Sequence, residues 1–411
     1  MKIRLEDPVV VAQAANEQPT WGVWQFPTLN RMGDRLLVSY SRAPDLYLDS
    51  ADDYAACGLA ASDDGGRTWQ PYPPDRPYAF LEDWLVRDRD SIWLQGPGRR
   101  DMLKADLPEP VGRVSDGYHG HRAVRDPLQM PAGFESWQRL RYAPDDGRWH
   151  ADPASVQDPD AAVASYDPPG RPYTTVYPRW CTHLLELPDT SLLAVFYGHR
   201  LDSRRKPHPK YESWCLRSVD DGLTWAFHGV IARDDHHPLA GYSETAVTVL
   251  RDGSLFAVMR TECAQPGGPA RTRSRDGGRT WDPPEPFQAL GVYPRFLALE
   301  NGARVLSFGR PGVFLLFSGD GRAETWENRI PLVEEDPEDA TGPFAPGTEH
   351  LARTQRCSGH SQLVATGPDS FLVVYDQFDY PNPAGEPRKT ILVRECKVEL
   401  APRPAGEEPD V

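Results

Sequence analysis

Arginine recurs in this chain beside short strand-like segments that also carry a glutamate, a histidine or an aspartate. The set is Arg42 and Asp45, Arg179, His199 and Arg200, Glu244 and Arg260, Arg295 and Arg310, and His360 and Asp376, with Gln25 and Phe26 at the first such place. Guanidinium groups bind planar anions through paired N–H bonds, so these arginines, gathered at one mouth, suit a carboxylate, sulfate or phosphate. The competing role for each is an ion pair with a neighbouring Asp or Glu. His360 adds a group that titrates near neutrality and serves as base or acid at physiological pH. A Glu244–His360 pair, the carboxylate orienting the imidazole, would suit inverting hydrolysis or proton abstraction. The alternative for His360 is a buried imidazole bonded to a strand carbonyl. Trp21, Trp24, Tyr177 and Trp180 are placed either to stack on sugar rings or to pack between sheets.

Other chemistries find little support. Tyr118-His119-Gly120-His121-Arg122 and Asp234-Asp235-His236-His237 each offer paired ligands without a third fixed by spacing, so neither metal nor other cofactor is expected. There is no glycine-rich phosphate loop, and the six scattered cysteines carry no nucleophile signature.

The elements that must position these residues are strands. Strand–turn–strand units recur five times, their second strands reading Arg35–Tyr40, Ser191–Tyr197, Ser254–Met259, Arg304–Phe308 and Phe371–Tyr375. Four units are followed by one repeated turn. It reads Ser62-Asp63-Asp64-Gly65-Gly66-Arg67-Thr68-Trp69, Ser218-Val219-Asp220-Asp221-Gly222-Leu223-Thr224-Trp225 and Ser274-Arg275-Asp276-Gly277-Gly278-Arg279-Thr280-Trp281. A stretched copy runs from Ser318-Gly319-Asp320-Gly321 to Thr325-Trp326. The Asp accepts backbone N–H bonds, Gly supplies a positive φ, and Trp packs on the neighbouring strand. The last three copies start at 218, 274 and 318, close to the ~40–50 residues of a propeller blade. The long gap before them holds a blade without the turn, around Asp83–Val86 and Ser91–Leu94, with insertions around 113–174.

Composition agrees. The chain has 411 residues, with 42 prolines and 34 glycines, a density that suits many short strands joined by turns. With 45 basic against 60 acidic residues, the net charge of −15 disfavours nucleic acid and anionic membrane as partners. No apolar run approaches the roughly 18 residues needed to cross a bilayer. The N-terminus lacks the apolar core of a secretory signal, so a cytoplasmic protein with reduced thiols is expected. The spacing predicts a single domain over 1–400 with a disordered tail at 401–411.

The repeated turn resembles the Asp box of the sialidase superfamily. The resemblance implies an all-β fold, a six-bladed sialidase-like β-propeller with Asp-box turns, seven blades being the alternative count. In such a blade the box joins strands three and four, and the residues flanking strands one and two line the opposite, axial mouth. Tyr242-Ser243-Glu244-Thr245 through Phe256-Ala257-Val258-Met259-Arg260 looks like the sialidase blade with the catalytic glutamate. Glu244 would then activate the nucleophile, and Arg260 would bind a carboxylate. Gly309-Arg310-Pro311 resembles a second arginine segment, and the loop from Asp45 to Asp53 stands where the acid/base aspartate lies, with Asp45 and Asp49 as candidates. Arg179, Arg295, Gln25 and Arg42 complete the expected substrate-binding set. Two departures stand out. Gln25-Phe26-Pro27 replaces the segment with the first triad arginine, and His360 occupies the place of the nucleophilic tyrosine. The expectation is therefore a sialidase-like exo-glycosidase acting on a terminal, anionic sugar of a carbohydrate substrate. Its rivals are a polysaccharide lyase with His360 as base and a non-catalytic carbohydrate-binding propeller.

Overall fold

The computed structural model describes residues 1–44, 57–72, 85–87, 90–96, 100–115, 121–166, 170–177, 180–235, 241–261, 268–288, 291–334 and 356–400. Within them the chain is all-β, with short 3-10 turns and no α-helix. Six antiparallel blade-like arrays follow one another among the described residues, with a further five-stranded sheet inserted among them. Blade 1 comprises Gln25–Met32, Arg35–Ser41, Cys57–Ser62 and Gln70–Pro71, and blade 2 comprises Leu85–Arg87, Asp90–Gln95, Trp137–Ala143 and Arg148–Gln157. Blade 3 is Trp180–Glu186, Leu192–Gly198, Glu212–Ser218 and Thr224–Ala232, and blade 4 is Tyr242–Val249, Leu255–Thr261, Ala270–Ser274 and Glu285–Pro286. Blade 5 is Val292–Ala298, Arg304–Gly309, Val313–Ser318 and Glu327–Val333. Blade 6 is Ser361–Gly367, Ser370–Pro381 and Pro387–Glu399, and its outer edge is completed from the other end of the chain by Lys2–Leu5 and Val9–Gln13.

Burial explains why the arrays stand side by side. Leu192–Phe196 and Val313–Ser318 are buried at every residue, which requires a neighbour on both faces. Most of the hydrophobic clusters lie between consecutive blades, and the others line the five-stranded sheet described below. Phe196, Trp214 and Trp225 meet Ile92 and Trp137 between blades 3 and 2, and Phe256 meets Phe296, Phe308 and Phe314 between blades 4 and 5. Val38 and Tyr40 meet Val374 and Ile391 between blades 1 and 6, which closes the ring.

The first three repeated turns share one hydrogen-bond pattern, and in the stretched copy the Ala323 N–H turns to Asp320 Oδ1 instead of the serine hydroxyl. In the first, Ser62 Oγ donates to Asp64 Oδ1 at 2.8 Å, the Gly66 N–H donates to Ser62 Oγ at 2.8 Å, and the Thr68 N–H donates to Asp64 Oδ1 at 3.0 Å. Trp69 Nε1 closes the turn on the Gly66 carbonyl at 3.0 Å. The stretched copy makes the last of these bonds to Ala323, whose φ of 55° takes up the left-handed place that Gly66, Gly222 and Gly278 fill elsewhere. All four turns join strands three and four, away from the starts of the first strands.

The segment 113–174 contains the two outer strands of blade 2 and most of a separate five-stranded sheet. That sheet is ordered Gly112–Ser115, His121–Arg125, Val163–Tyr166, Tyr173–Tyr177 and Arg100–Leu103. Blade 2 also joins blade 3 edge to edge through a parallel pairing of Ser155–Gln157 with Thr224–Ala226. No expectation from spacing anticipated either feature. The 401–411 tail lies outside the described residues.

Candidate active site

Three first strands begin with the same irregularity. Between Gln25 and Thr28, between Ser243 and Ala246, and between Val292 and Arg295, two residues oppose one on the second strand. The first residue of each bulge has a positive φ: 55° at Phe26, 45° at Glu244 and 52° at Tyr293. None is glycine, so each bulge holds strain of order 1 kcal/mol or more. The bulge bends the strand end and re-aims the side chain. Arg310, just past the second strand of blade 5, also has a positive φ of 58°.

The aimed side chains meet. Glu244 Oε1 accepts a bond from Arg260 Nη1 at 3.0 Å, and Oε2 accepts one from the Tyr293 backbone N–H at 2.9 Å. The Tyr293 ring stacks face to face on His360, with centroids 3.9 Å apart and planes within 14°. Phe26 touches the same imidazole at 4.7 Å. Arg295 lies 4.0 Å from the Tyr293 ring centroid, donates to the Tyr293 hydroxyl, and is anchored on the Thr182 carbonyl at 2.5 Å. Arg310 Nε donates to the Ser358 carbonyl at 2.9 Å, and its guanidinium lies 5.5 Å from the Trp21 ring centroid. Trp21 in turn packs edge-on against Phe26 and Phe378. Aromatic rings and guanidinium groups are thus interleaved at the mouth.

Burial lowers the His360 pKa well below the ordinary histidine value, and the nearby charges of Arg310, Arg295 and Arg260 push it the same way. The imidazole is therefore neutral at physiological pH, yet the residue keeps partial exposure. Behind it, burial raises the Asp376 carboxyl to about 7 and lowers Lys389 to about 8.

Several sequence expectations change. The direct Glu244–His360 pair does not form, because both carboxylate oxygens are engaged by Arg260 and Tyr293 and the tyrosine ring occupies the imidazole face. Gln25 is wholly buried and accepts from the Gly22 N–H at 2.8 Å, which leaves Phe26 as the partly exposed residue of that strand end. Arg200 is tied to Asp158 by two contacts of 2.9 and 2.8 Å, in a buried pair between blade 3 and the segment before the five-stranded sheet's Val163–Tyr166 strand. His199 is buried too, pushed down to about 4 by that burial, and bonds the His208 carbonyl. Arg42 is exposed, 5.9 Å from the Trp24 ring centroid. Arg260, Arg295, Arg310, Glu244 and His360 come together. Asp45, Asp49 and Arg179 lie outside the described residues.

Tyr293 was missed. Its signal was present in Val292-Tyr293-Pro294, which aligns with Gln25-Phe26-Pro27 and Ser243-Glu244-Thr245 once the bulges are superposed. Among the described residues no group of three or more His, Cys, Asp or Glu is arranged to hold a metal ion.

No protein-family model matches the sequence, and no curated protein matches it. Solved structures do. A protein of unknown function from Dyadobacter fermentans is similar at a TM-score of 0.61 and 18% identity, over 97% of this chain and 99% of that one. A single-substitution variant of the NanB sialidase from Streptococcus pneumoniae is similar at a TM-score of 0.52 and 13% identity, over 95% of this chain and 70% of that one. At such identities the likeness carries the fold: this chain is an all-β propeller with a divergent, sialidase-like fold.

Proposed function

We propose that the protein is an exo-glycosidase that removes a terminal, anionic sugar at the axial mouth. One observation carries the reading: Glu244 and Arg260 from blade 4, Tyr293, Arg295 and Arg310 from blade 5, and His360 from blade 6 converge, three of them at strained backbone positions. Strain of this kind persists only where surrounding structure over-determines it, and it clusters at functional sites.

In this scheme the guanidinium groups hold the anionic group, and Phe26 and Phe378, backed by the buried Trp21, receive the apolar face of the ring. Neutral His360 takes a proton from water as the water oxygen bonds to the anomeric carbon. The bond from that carbon to the leaving oxygen breaks, and an aspartic acid of the 45–49 loop, Asp45 or Asp49, protonates the leaving oxygen. Glu244 steadies the positive charge that develops on the ring. The partner is carbohydrate rather than nucleic acid or membrane, in a cytoplasmic setting.

A lyase reading is favoured by one feature, a neutral imidazole among guanidinium groups. There His360 would take the proton α to a uronate carboxylate, and the C–O bond at the β-carbon would break to leave an unsaturated sugar, the departing oxygen taking a proton from water. The test is a screen of the purified protein against sialosides, uronides and other glycosides with Glu244→Gln as control. Release of a sugar by the wild type alone supports the hydrolase. An ultraviolet-absorbing unsaturated product supports the lyase, and binding without turnover of any member supports a carbohydrate-binding propeller.

A further inference from the structure

Asp376 sits on the second strand of blade 6, with no exposed surface. Its Oδ1 accepts from the Ser358 backbone N–H at 3.0 Å and from Ser358 Oγ at 2.9 Å. Ser358 Oγ accepts from the His360 N–H at 3.3 Å, and the Ser358 carbonyl accepts from Arg310 Nε at 2.9 Å. One carboxylate therefore fixes a turn whose two ends hold the imidazole and a guanidinium. The turn has no slack. A Cβ on Gly309 would stand 2.2 Å from the Gly359 carbonyl oxygen, and one on Gly359, whose φ is 79°, would stand 2.6 Å from Arg310 Cγ.

Lys389 reaches the turn around Trp21 from the same place. Its Nζ donates to the Thr20 and Val23 carbonyls at 2.7 and 3.1 Å, fixing the turn that carries Trp21, and its charge favours the ionised form of Asp376. Stability alone does not account for such a carboxyl. Burying a carboxylate costs several kcal/mol unless every oxygen is satisfied, and among the described residues Asp376 Oδ2 has no hydrogen-bond partner. A buried oxygen left without a partner calls for a role beyond stability.

We infer that Asp376 is the positioning residue of this mouth: through the Ser358-Gly359-His360 turn it places the His360 imidazole and the Arg310 guanidinium side by side. The inference rests on the mouth being the site, but its test needs no turnover. The imidazole carbon-bound protons of the intact protein are followed by NMR against pH in the wild type, Asp376→Ala and Asp376→Asn. Asp376→Ala should shift the His360 signals and raise its titration midpoint by about one pH unit or more, because the loosened turn admits water. Asp376→Asn should restore the wild-type signals, since its amide oxygen still accepts both Ser358 bonds. His150, in the outer strand of blade 2, should be unmoved in all three. A folded Asp376→Ala with unchanged His360 signals overturns the inference, as does an Asp376→Asn that behaves like Asp376→Ala. Should Asp376→Ala not fold, Ser358→Ala replaces it: it removes the hydroxyl link alone, and an unmoved His360 again overturns the inference. Inactivity toward every glycoside would count against the proposed reaction and leave this result standing.

Discussion

Glu244 offers a test in which stability and chemistry separate. Its carboxylate binds Arg260 Nη1 at 3.0 Å and the Tyr293 N–H at 2.9 Å, with side-chain exposures of only 14% for Arg260 and 13% for Glu244. Glu244→Ala leaves a guanidinium and a backbone N–H without that partner. Breaking a buried pair in this way costs about 3–5 kcal/mol, and water entering the partly open mouth recovers some of it, so about 2–3 kcal/mol is expected. Glu244→Gln keeps one acceptor in place and should cost about 1 kcal/mol. The positive φ adds a third variant. Alanine at 45° remains strained, whereas Glu244→Gly relieves the backbone and should be about 1 kcal/mol more stable than Glu244→Ala. For 411 residues the unfolding entropy is about 0.9 kcal/mol/K, so the alanine variant should melt about 2–4 °C below the wild type. Denaturant titration at pH 7 measures the order: wild type, Gln, Gly, Ala. Every variant should lose at least about 100-fold in glycoside cleavage, including Gln. An alanine variant within about 0.5 kcal/mol of the wild type would refute the Arg260–Glu244–Tyr293 linkage. A fully active Gln variant would remove Glu244 from the chemistry.

Further outcomes concern charge. Asp320 accepts from Ser318 Oγ, the Arg322, Ala323 and Thr325 N–H groups and Thr325 Oγ1, and its pKa is held at about 2, below the ordinary 3.8. A depressed acid stabilises the fold above pH 3.8 and loses that contribution as pH falls toward 2. Asp320→Ala should therefore cost about 1–2 kcal/mol at pH 7, after allowance for solvent screening, and the gap to wild type should close in acid; a gap independent of pH would count against the turn's charge as the cause. Asp376 behaves oppositely. Its folded pKa, raised by burial to about 7, means that the folded state keeps a proton the unfolded chain has released, so stability should fall as pH rises from about 4 to 7. Melting at pH 5 and pH 8 should show this drop in the wild type and not in Asp376→Asn. His360, depressed by burial and by Arg310, should stay neutral where an ordinary histidine becomes protonated, and the acid limb of any activity should lie well below pH 6.5. A limb at 6.5 that disappears in His360→Gln would contradict the neutral imidazole. Arg310→Lys loses the planar fork, and its affinity for anionic ligands should drop about 10-fold or more while neutral analogues bind as before.

The features legible in the linear chain are the local ones. The four turns were legible because every bond that defines them falls within a few residues of the aspartate, and the strand pairs because alternation and turn residues write a hairpin directly. Together these fixed the all-β propeller class. Glu244 and Arg260 were also legible as neighbours, being 16 residues apart on one hairpin. Tertiary structure decided the rest. Tyr293 meets His360 across two blades, which no spacing records, and that contact, with the two bonds to Glu244, replaced the expected carboxylate–imidazole pair. The bulges that aim Phe26, Glu244 and Tyr293 depend on how each strand registers with its partner, a property of the pairing rather than of three residues. The sheet built around 100–177 and the N-terminal strands on the edge of blade 6 likewise join segments distant along the chain. Their partners are chosen by burial and hydrogen-bond satisfaction in the folded ring, where an unpaired polar group or uncovered apolar face is costly, and a linear pattern carries no record of that choice.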